Sequence, residues 1–487
     1  MFTKRLYVKL VEKTARFSSL RPALMKLLES ITYRKVVTNS ILPKKVAETR
    51  YNFFMGLVKQ ISKNKSKGYI KDKVIKRISD GIAKAMIVGR EKKNKKICKK
   101  YNLTGTPGFL VVSPTKKCNL QCIGCYASSN YEDIKLNFKD LDRLVHEAHK
   151  KFGQSYMVIS GGEPLLYNDN GKTLFDIWKK YPKMIFMFYT NGTLITKEVA
   201  KKMAKLGNVS PAISVEGYEK ETDCRRGKGV YKKILEAMDN LKQAGVPFGV
   251  SVTATSKNIN LLLKDEMYKY WFDKVGASYM WMFQLMPIGK AKNAFKLMIT
   301  PEHRVKLFKQ WEKMLSQQYP VADFWNSGMI ADGCVAYGRK GGYVYINWDG
   351  KIMPCAFVPY YIDNLKDLYA KGKSLADALG SNFFRRGRQW QREFTLNHMN
   401  KPGNLMMPCS IRDHYKNWKE NILTPDAKPE NQAAADALHS KAYEKVLENF
   451  DKKLEKITTP MWKKKYLEEG VKKKTLLQKA KAMISMN

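Results

Sequence analysis

The chain has 487 residues, of which 44% are hydrophobic and 27% charged, proportions of a folded protein that exclude wholesale disorder. It is strongly basic, with 89 Lys and Arg against 44 Asp and Glu and a net charge of +45, and about half of that excess lies in the first hundred residues. No run of roughly 18 apolar residues is present and Met1 to Leu10 is not followed by an apolar core, so neither a spanning helix nor a secretory signal is expected and a cytoplasmic location is.

Residues 1–104 read as a basic helical region, with apolar positions three and four apart, as in Leu20, Leu24, Leu27 and Leu28. Lys92 to Lys100 is a solvated basic run, and Thr106-Pro107-Gly108 breaks the pattern. Residues 105–300 change texture. Short apolar runs suited to buried strands occur at Phe109–Val112, Met157–Ile159, Met184–Tyr189, Ala212–Val215, Phe248–Thr253 and Tyr279–Leu285. Helical patterns lie between them, notably Phe138–Lys150 and Val230–Ala244, the second stopped by Gly245. Strands alternating with helices predict an α/β fold with a parallel sheet. Six such units are too few for a closed eight-fold barrel, so a partial, open (β/α)6 barrel is expected. Residues 301–425 form a third section, in which Gly341–Gly350 alternates and ends in Asp-Gly, a hairpin signal. Residues 426–487 read as a Lys-rich helical tail.

Eight cysteines are present, and three fall in Cys118-Asn-Leu-Gln-Cys122-Ile-Gly-Cys125, directly after a predicted strand. Such spacing is not a secreted disulfide framework; it is that of cytosolic metal ligands. Thiolates suit iron–sulfur clusters or zinc. A structural zinc wants four closed ligands, and no Cys or His lies near enough in sequence to complete the set, although a distant residue would serve. Three thiolates around a four-iron cubane leave one iron without a protein ligand.

The Cys118-x3-Cys122-x2-Cys125 loop resembles the signature of the radical S-adenosylmethionine (radical SAM) superfamily. So do Gly161-Gly162-Glu163-Pro164, Thr190-Asn191-Gly192, Ser214-Val-Glu216-Gly217, Asp223-Cys-Arg-Arg226-Gly227 and Met286-Pro-Ile-Gly289, which follow in the family's order over residues 109 to about 295. The resemblance implies a 4Fe-4S cluster held by Cys118, Cys122 and Cys125, whose open iron is chelated by the methionine amino and carboxylate groups of S-adenosylmethionine. It implies one-electron cleavage of that cofactor to methionine and a 5′-deoxyadenosyl radical, fed by a low-potential donor of the flavodoxin or ferredoxin kind. On the same ground Tyr126, Gly161, Gly162, Glu163, Pro164, Asn191, Ser214, Glu216 and Arg226 are expected to bind the cofactor. Glycines 161 and 162 would allow close backbone approach, the Glu163 carboxylate or nearby carbonyls would accept from the ammonium, and Arg226, or Arg225 in its place, would pair with the carboxylate. The family often carries an aromatic residue before the third cysteine; here it is Gly124.

Downstream, Cys334-x15-Gly350-x4-Cys355 resembles the start of the auxiliary-cluster extension of many members (the SPASM and shorter twitch domains), with the predicted hairpin between the two cysteines. Only Cys409 remains further on, so a twitch-like second cluster on Cys334, Cys355 and Cys409 is the economical expectation. Three structural cysteines without a cluster are the alternative. Cys98 and Cys224 read as small packing residues.

The basic flanks, including Met461-Trp-Lys-Lys-Lys-Tyr-Leu onward to Met486, mix Lys with aromatic and aliphatic residues. Such helices suit an anionic membrane surface, and they suit RNA, but no RNA-binding signature is visible. The expected function is radical modification of an unactivated carbon, with a membrane lipid or isoprenoid as substrate in one reading and a peptide in another, as in SPASM-type maturases. A non-catalytic iron–sulfur binding protein is a third.

Overall fold

All six predicted strands form, and they pair in chain order because each apolar run is covered on both faces, as parallel sheets require. The computed structural model describes residues 4–16, 21–78 and 90–468. The strands are β1 (Phe109–Val112), β2 (Tyr156–Ile159), β3 (Ile185–Thr190), β4 (Val209–Val215), β5 (Gly249–Ala254) and β6 (Met280–Gln284), parallel throughout. Strand β4 begins earlier than its apolar core at Ala212. The buried Ser210 is accommodated because its hydroxyl bonds the Pro247 carbonyl at 2.9 Å and the Tyr279 hydroxyl at 2.9 Å.

The sheet continues past both predicted edges. Strand β7 (Val321–Asp323) adds beyond β6. Strand β8 (Tyr343–Ile346) pairs in parallel with β1, Phe109 opposite Tyr343 and Val112 opposite Ile346, and β9 (Ile352–Met353) returns antiparallel to it. The order is thus β9-β8-β1-β2-β3-β4-β5-β6-β7, nine strands in one curled sheet. The Asp349-Gly350 hairpin is where the alternation places it, with Gly350 at φ 85° in the turn. All four residues of β8 are nonetheless buried, because the hairpin is a sheet component covered on two faces rather than a surface ribbon.

Helices pack outside the sheet. Among them are α1 (Lys4–Arg16), α2 (Arg21–Tyr33), α3 (Lys44–Ser66), α4 (Arg90–Tyr101), α5 (Phe138–His146), α6 (Glu219–Arg226), α7 (Val230–Ala244), α8 (Pro301–Ser316) and α9 (Lys441–Trp462). Helix α5 starts at the Asn137 side chain, which accepts from the Asp140 amide. It loosens into a π-turn over Glu147–Lys151 where the sequence pattern runs on as one helix. Helix α7 stops at Gly245 as expected, with φ 79°. The Lys92–Lys100 run is helical, within α4, and Lys95, Lys96, Lys99 and Lys100 are exposed.

Helix α3 is docked to the barrel by buried polar side chains rather than solvated all round. Gln60 Nε2 donates to the Phe272 carbonyl at 2.8 Å and Asn64 Nδ2 to the Gly276 carbonyl at 2.7 Å. Arg50 pairs with Asp332 and donates to the Met329 carbonyl at 2.7 Å. Gly56 lies so close to the backbone of Gln318 that a Cβ there would meet its carbonyl oxygen at 2.4 Å. The C-terminal tail is helical through α9 and a π-turn at Lys463–Glu468; the rest of the predicted basic tail, up to Met486, lies outside the described residues.

Candidate active site

Side chains alternate across a strand, and the set on the inner face of the curled sheet lines one cavity of about 440 Å³. Val111, Val158, Met187, Tyr189, Ser214, Ser251, Thr253, Trp281 and Phe283 belong to it. The loop after β1 brings Cys118, Cys122 and Cys125 to one end. The loop is fixed by backbone contacts: the Cys118 amide donates to the Asn130 carbonyl at 2.7 Å, and the Ile123 amide to the Arg225 carbonyl at 3.0 Å. Nitrogen donors face two of the sulfurs. The Leu120 amide lies 3.5 Å and Asn191 Nδ2 3.9 Å from Cys118 Sγ, and Arg226 Nη1 lies 3.9 Å from Cys122 Sγ. Burial pushes the Cys118 thiol up to about 11. Among the described residues, no three Cys, His, Asp or Glu side chains converge on the position of a single ion; the three thiols share a cavity wall instead.

Of the residues expected beside the cysteines, Tyr126, Gly161, Gly162, Asn191, Ser214 and Arg226 line the cavity. Glu163, Pro164 and Glu216 are not among its lining residues. Glu163 is fully buried with its carboxylate turned into the protein, accepting from the Thr190 hydroxyl at 2.8 Å, the Asn191 amide at 2.8 Å and the Leu165 amide at 3.1 Å. Three internal donors engage this carboxylate, which leaves one of its roughly four acceptor sites for a ligand ammonium. Burial outweighs those donors and pushes the group up to about 7. Pro164 opens the short 3₁₀ turn behind it. Glu216 is likewise engaged from inside, by Arg225 Nη1 and Arg226 Nη2 at 2.5 Å each, so the guanidinium of Arg226 comes to the cavity already paired.

The glycines that line the cavity also serve packing behind it. A Cβ on Gly162 would meet the Lys117 carbonyl oxygen at 2.2 Å and that of Lys116 at 2.4 Å; one on Gly161, at φ 123°, would meet the Thr115 carbonyl at 2.6 Å. The close approach these glycines permit is to the segment leading into Cys118. The Gly162 and Glu163 amides bond that segment, donating to Thr115 at 2.9 Å and Lys117 at 2.8 Å.

The second set reaches the same cavity. Cys334, Cys355 and Cys409 all line it. Tyr343 Oη lies 2.8 Å from Cys355 Sγ, and the Phe357 amide 3.4 Å from the same sulfur. Burial pushes the Cys355 thiol up to about 12 and the Cys409 thiol well above its ordinary value. Between the two sets stands an aromatic wall, in which Phe357 contacts Tyr126, Phe283, Phe324 and Trp325 at ring separations of 4.7–5.9 Å. Its one carboxylate, Asp323, is saturated by Gln284, Asn326 and the Trp325 amide.

Cys98 is half-buried against the core, as a packing residue would be, whereas Cys224 is exposed, on the solvent side of α6. Arg225, which the sequence offers as the alternative to Arg226, shares Glu216 with it. Two contributions were missed by sequence reasoning. Phe53 of α3 reaches the cavity from the N-terminal helices, and nothing in its local pattern marks it. Ser251 and Thr253 had a signal: small polar residues at alternate positions of an otherwise apolar strand.

Both thiol sets suit iron–sulfur groups. Each is three buried or half-buried soft donors on one wall, the first with nitrogen donors aimed at its sulfurs and polar Ser214, Asn191 and Thr253 beside it.

Comparison with known proteins agrees. Residues 112–261 match the family model described as the Radical SAM superfamily. The chain is 24% identical over 297 residues to "AdoMet-dependent heme synthase" of Methanosarcina barkeri, covering 54% of this chain and 81% of that protein. It is 28% identical over 301 residues to "Mycofactocin maturase MftC" of Mycolicibacterium smegmatis, covering 59% and 71%. Among solved structures, Streptococcus suis SuiB bound to precursor peptide SuiA superposes with a TM-score of 0.48 at 19% identity, covering 59% of this chain and 68% of that one. The family match, the relatives and the order of the motifs along the sheet together make the chain a member of the radical SAM superfamily, an enzyme that uses a 4Fe-4S cluster and S-adenosylmethionine.

Proposed function

We propose that this enzyme modifies an unactivated carbon in an apolar or aromatic group seated between the two cysteine sets. The carrying observation is that Cys118, Cys122 and Cys125 on one side and Cys334, Cys355 and Cys409 on the other line one cavity whose intervening wall is aromatic. The first three thiolates would hold the family's cluster, and the second three an auxiliary one. Tyr126, Gly161, Gly162, Asn191, Ser214 and Arg226 would hold S-adenosylmethionine beside the first. When bound, the cluster and cofactor supply a one-electron cleavage that yields methionine and a radical at the 5′ carbon of deoxyadenosine. Glu163 braces the Thr190-Asn191 turn, and Glu216 presents Arg226; these are positioning residues. The rings of Phe283, Phe324 and Phe357 exclude water from the reacting carbon.

Proteins named for haem synthesis and for mycofactocin maturation are among its relatives. An apolar wall without a free carboxylate suits a hydrophobic peptide side chain as readily as a lipid or isoprenoid. One observation favours action at a membrane surface: Leu27 and Tyr33 are exposed on the N-terminal helix α2 and Ile41 on the connection to α3, Leu27 at 49%. Flotation with vesicles of neutral and of anionic lipid tests this, and absence of salt-sensitive binding ends it. The function itself is tested by anaerobic reconstitution with iron and sulfide, reduction with dithionite in the presence of S-adenosylmethionine, and mass spectrometry. 5′-Deoxyadenosine in wild type, absent without reductant, is expected; none in a fully loaded enzyme overturns the reading. Mass spectrometry of co-purified molecules then separates peptide from lipid.

A further inference from the structure

Arg412 is one turn past Cys409 and is completely buried. None of its three guanidinium nitrogens has a hydrogen-bond partner in the protein. A guanidinium carries five N–H donors and keeps its charge, and burying it without an acceptor is strongly unfavourable. Its flanks supply only partial relief: the rings of Trp325 and Phe450 lie 5.0 Å and 5.1 Å from its central carbon.

The neighbouring carboxylates do not meet the need. Asp413 is held by Arg304 through two contacts, one of 2.9 Å, and accepts from the Cys409 amide at 3.0 Å. Asp323 is saturated as described above. Asp451 accepts from the Tyr415 amide at 2.7 Å through one oxygen, while the other has no partner. Burial pushes Asp451 up to about 9, which disfavours its anion. What remains close to Arg412 is Cys409, whose thiol receives the Arg412 backbone amide, and Cys409 faces the cavity with Cys334 and Cys355.

We propose that Arg412 is the counter-charge of the iron–sulfur group held by Cys334, Cys355 and Cys409, and that it sets the reduction potential of that group. This rests on the reading that those three thiolates hold a second cluster. Three thiolates and a cubane make a net anion, and reduction adds one more negative charge. A fixed cation in the same buried region favours the reduced form, since nearby charge is one of the determinants of cluster potential. On this reading the uncompensated guanidinium charge gains its counter-ion with the metal.

The test compares anaerobically reconstituted wild type, R412M, R412K, D451N and C409A by iron content and by redox titration followed with electron paramagnetic resonance. Wild type and the Arg412 and Asp451 variants are expected to hold about eight irons and C409A about four, the counts for two cubanes and one. R412M is expected to move the midpoint of the second cluster to more negative potential and to leave the first unmoved, with R412K shifting it less. A second-cluster midpoint in R412M equal to wild type overturns the proposal. D451N decides the matter even if R412M fails to fold. Its midpoint should match wild type; a positive shift would assign Arg412 to Asp451 and overturn the proposal. Wild type with only four irons, unchanged by C409A, overturns the second cluster instead.

Discussion

The two cysteine sets face one cavity but are assembled in opposite ways. Cys118, Cys122 and Cys125 sit on a single short loop, braced by Asn130 nearby and by Arg225 at long range, and that loop keeps Ile123 exposed at 53%. Cys334, Cys355 and Cys409 come from distant segments. Cys355 follows the β8–β9 hairpin, which is held by pairing of β8 with β1 across more than two hundred residues of chain. Closing a short loop costs little entropy and closing a long one costs more. The first set is therefore gathered by one short loop, while the second exists only once the sheet has closed. Metal at the second site should stabilise the fold; metal at the first should matter mainly for chemistry.

Replacement of all three of Cys118, Cys122 and Cys125 by alanine should abolish 5′-deoxyadenosine formation and remove about four irons per chain. The apo-protein should keep its melting temperature, as read by circular dichroism. Replacement of Cys334, Cys355 and Cys409 should remove a similar amount of iron and also cancel the rise in melting temperature that loading gives the wild type; an equal rise would erase the contrast between the sets. Gly162→Ala should be destabilising by about 1–3 kcal/mol, the usual range for an atom forced into packed surroundings. Its Cβ would stand 2.2 Å from the Lys117 carbonyl, so the loop entering Cys118 must shift, and denaturant titration reads the cost.

The smallest effect concerns Glu163. Its pKa is raised in the folded protein, to about 7 from an ordinary 4.5. Between those values the folded state binds more protons than the unfolded one, so stability falls as pH rises from about 4.5 to about 7 and levels off above. E163Q should flatten that slope in melting temperature against pH; an unchanged slope would show that other groups cause it.

Much of this was legible in the sequence. The six core strands, the stop of α7 at Gly245 and the hairpin at Asp349-Gly350 are local signals, and local signals survive folding. The cysteine loop was legible for the same reason. What escaped was long-range. Parallel partners such as β8 and β1 carry no mutual signature, so the place of the hairpin in the sheet, unlike the hairpin itself, was invisible. Glu163 and Glu216 were expected to face a ligand because a motif gives positions but not side-chain directions. Those directions are set by Thr190, Asn191, Arg225 and Arg226, which become neighbours only in the folded sheet. Phe53 reached the cavity only because Gly56, Gln60 and Asn64 press α3 against the barrel.

The most direct test of the central claim is the electron paramagnetic resonance spectrum of the reduced, reconstituted enzyme with and without S-adenosylmethionine. A cluster held by three thiolates with one open iron should change its g-values when the cofactor is added, and the change should vanish in the Cys118, Cys122 and Cys125 alanine variant. A wild-type spectrum that does not respond to the cofactor, or a response that persists without those thiols, would contradict the account.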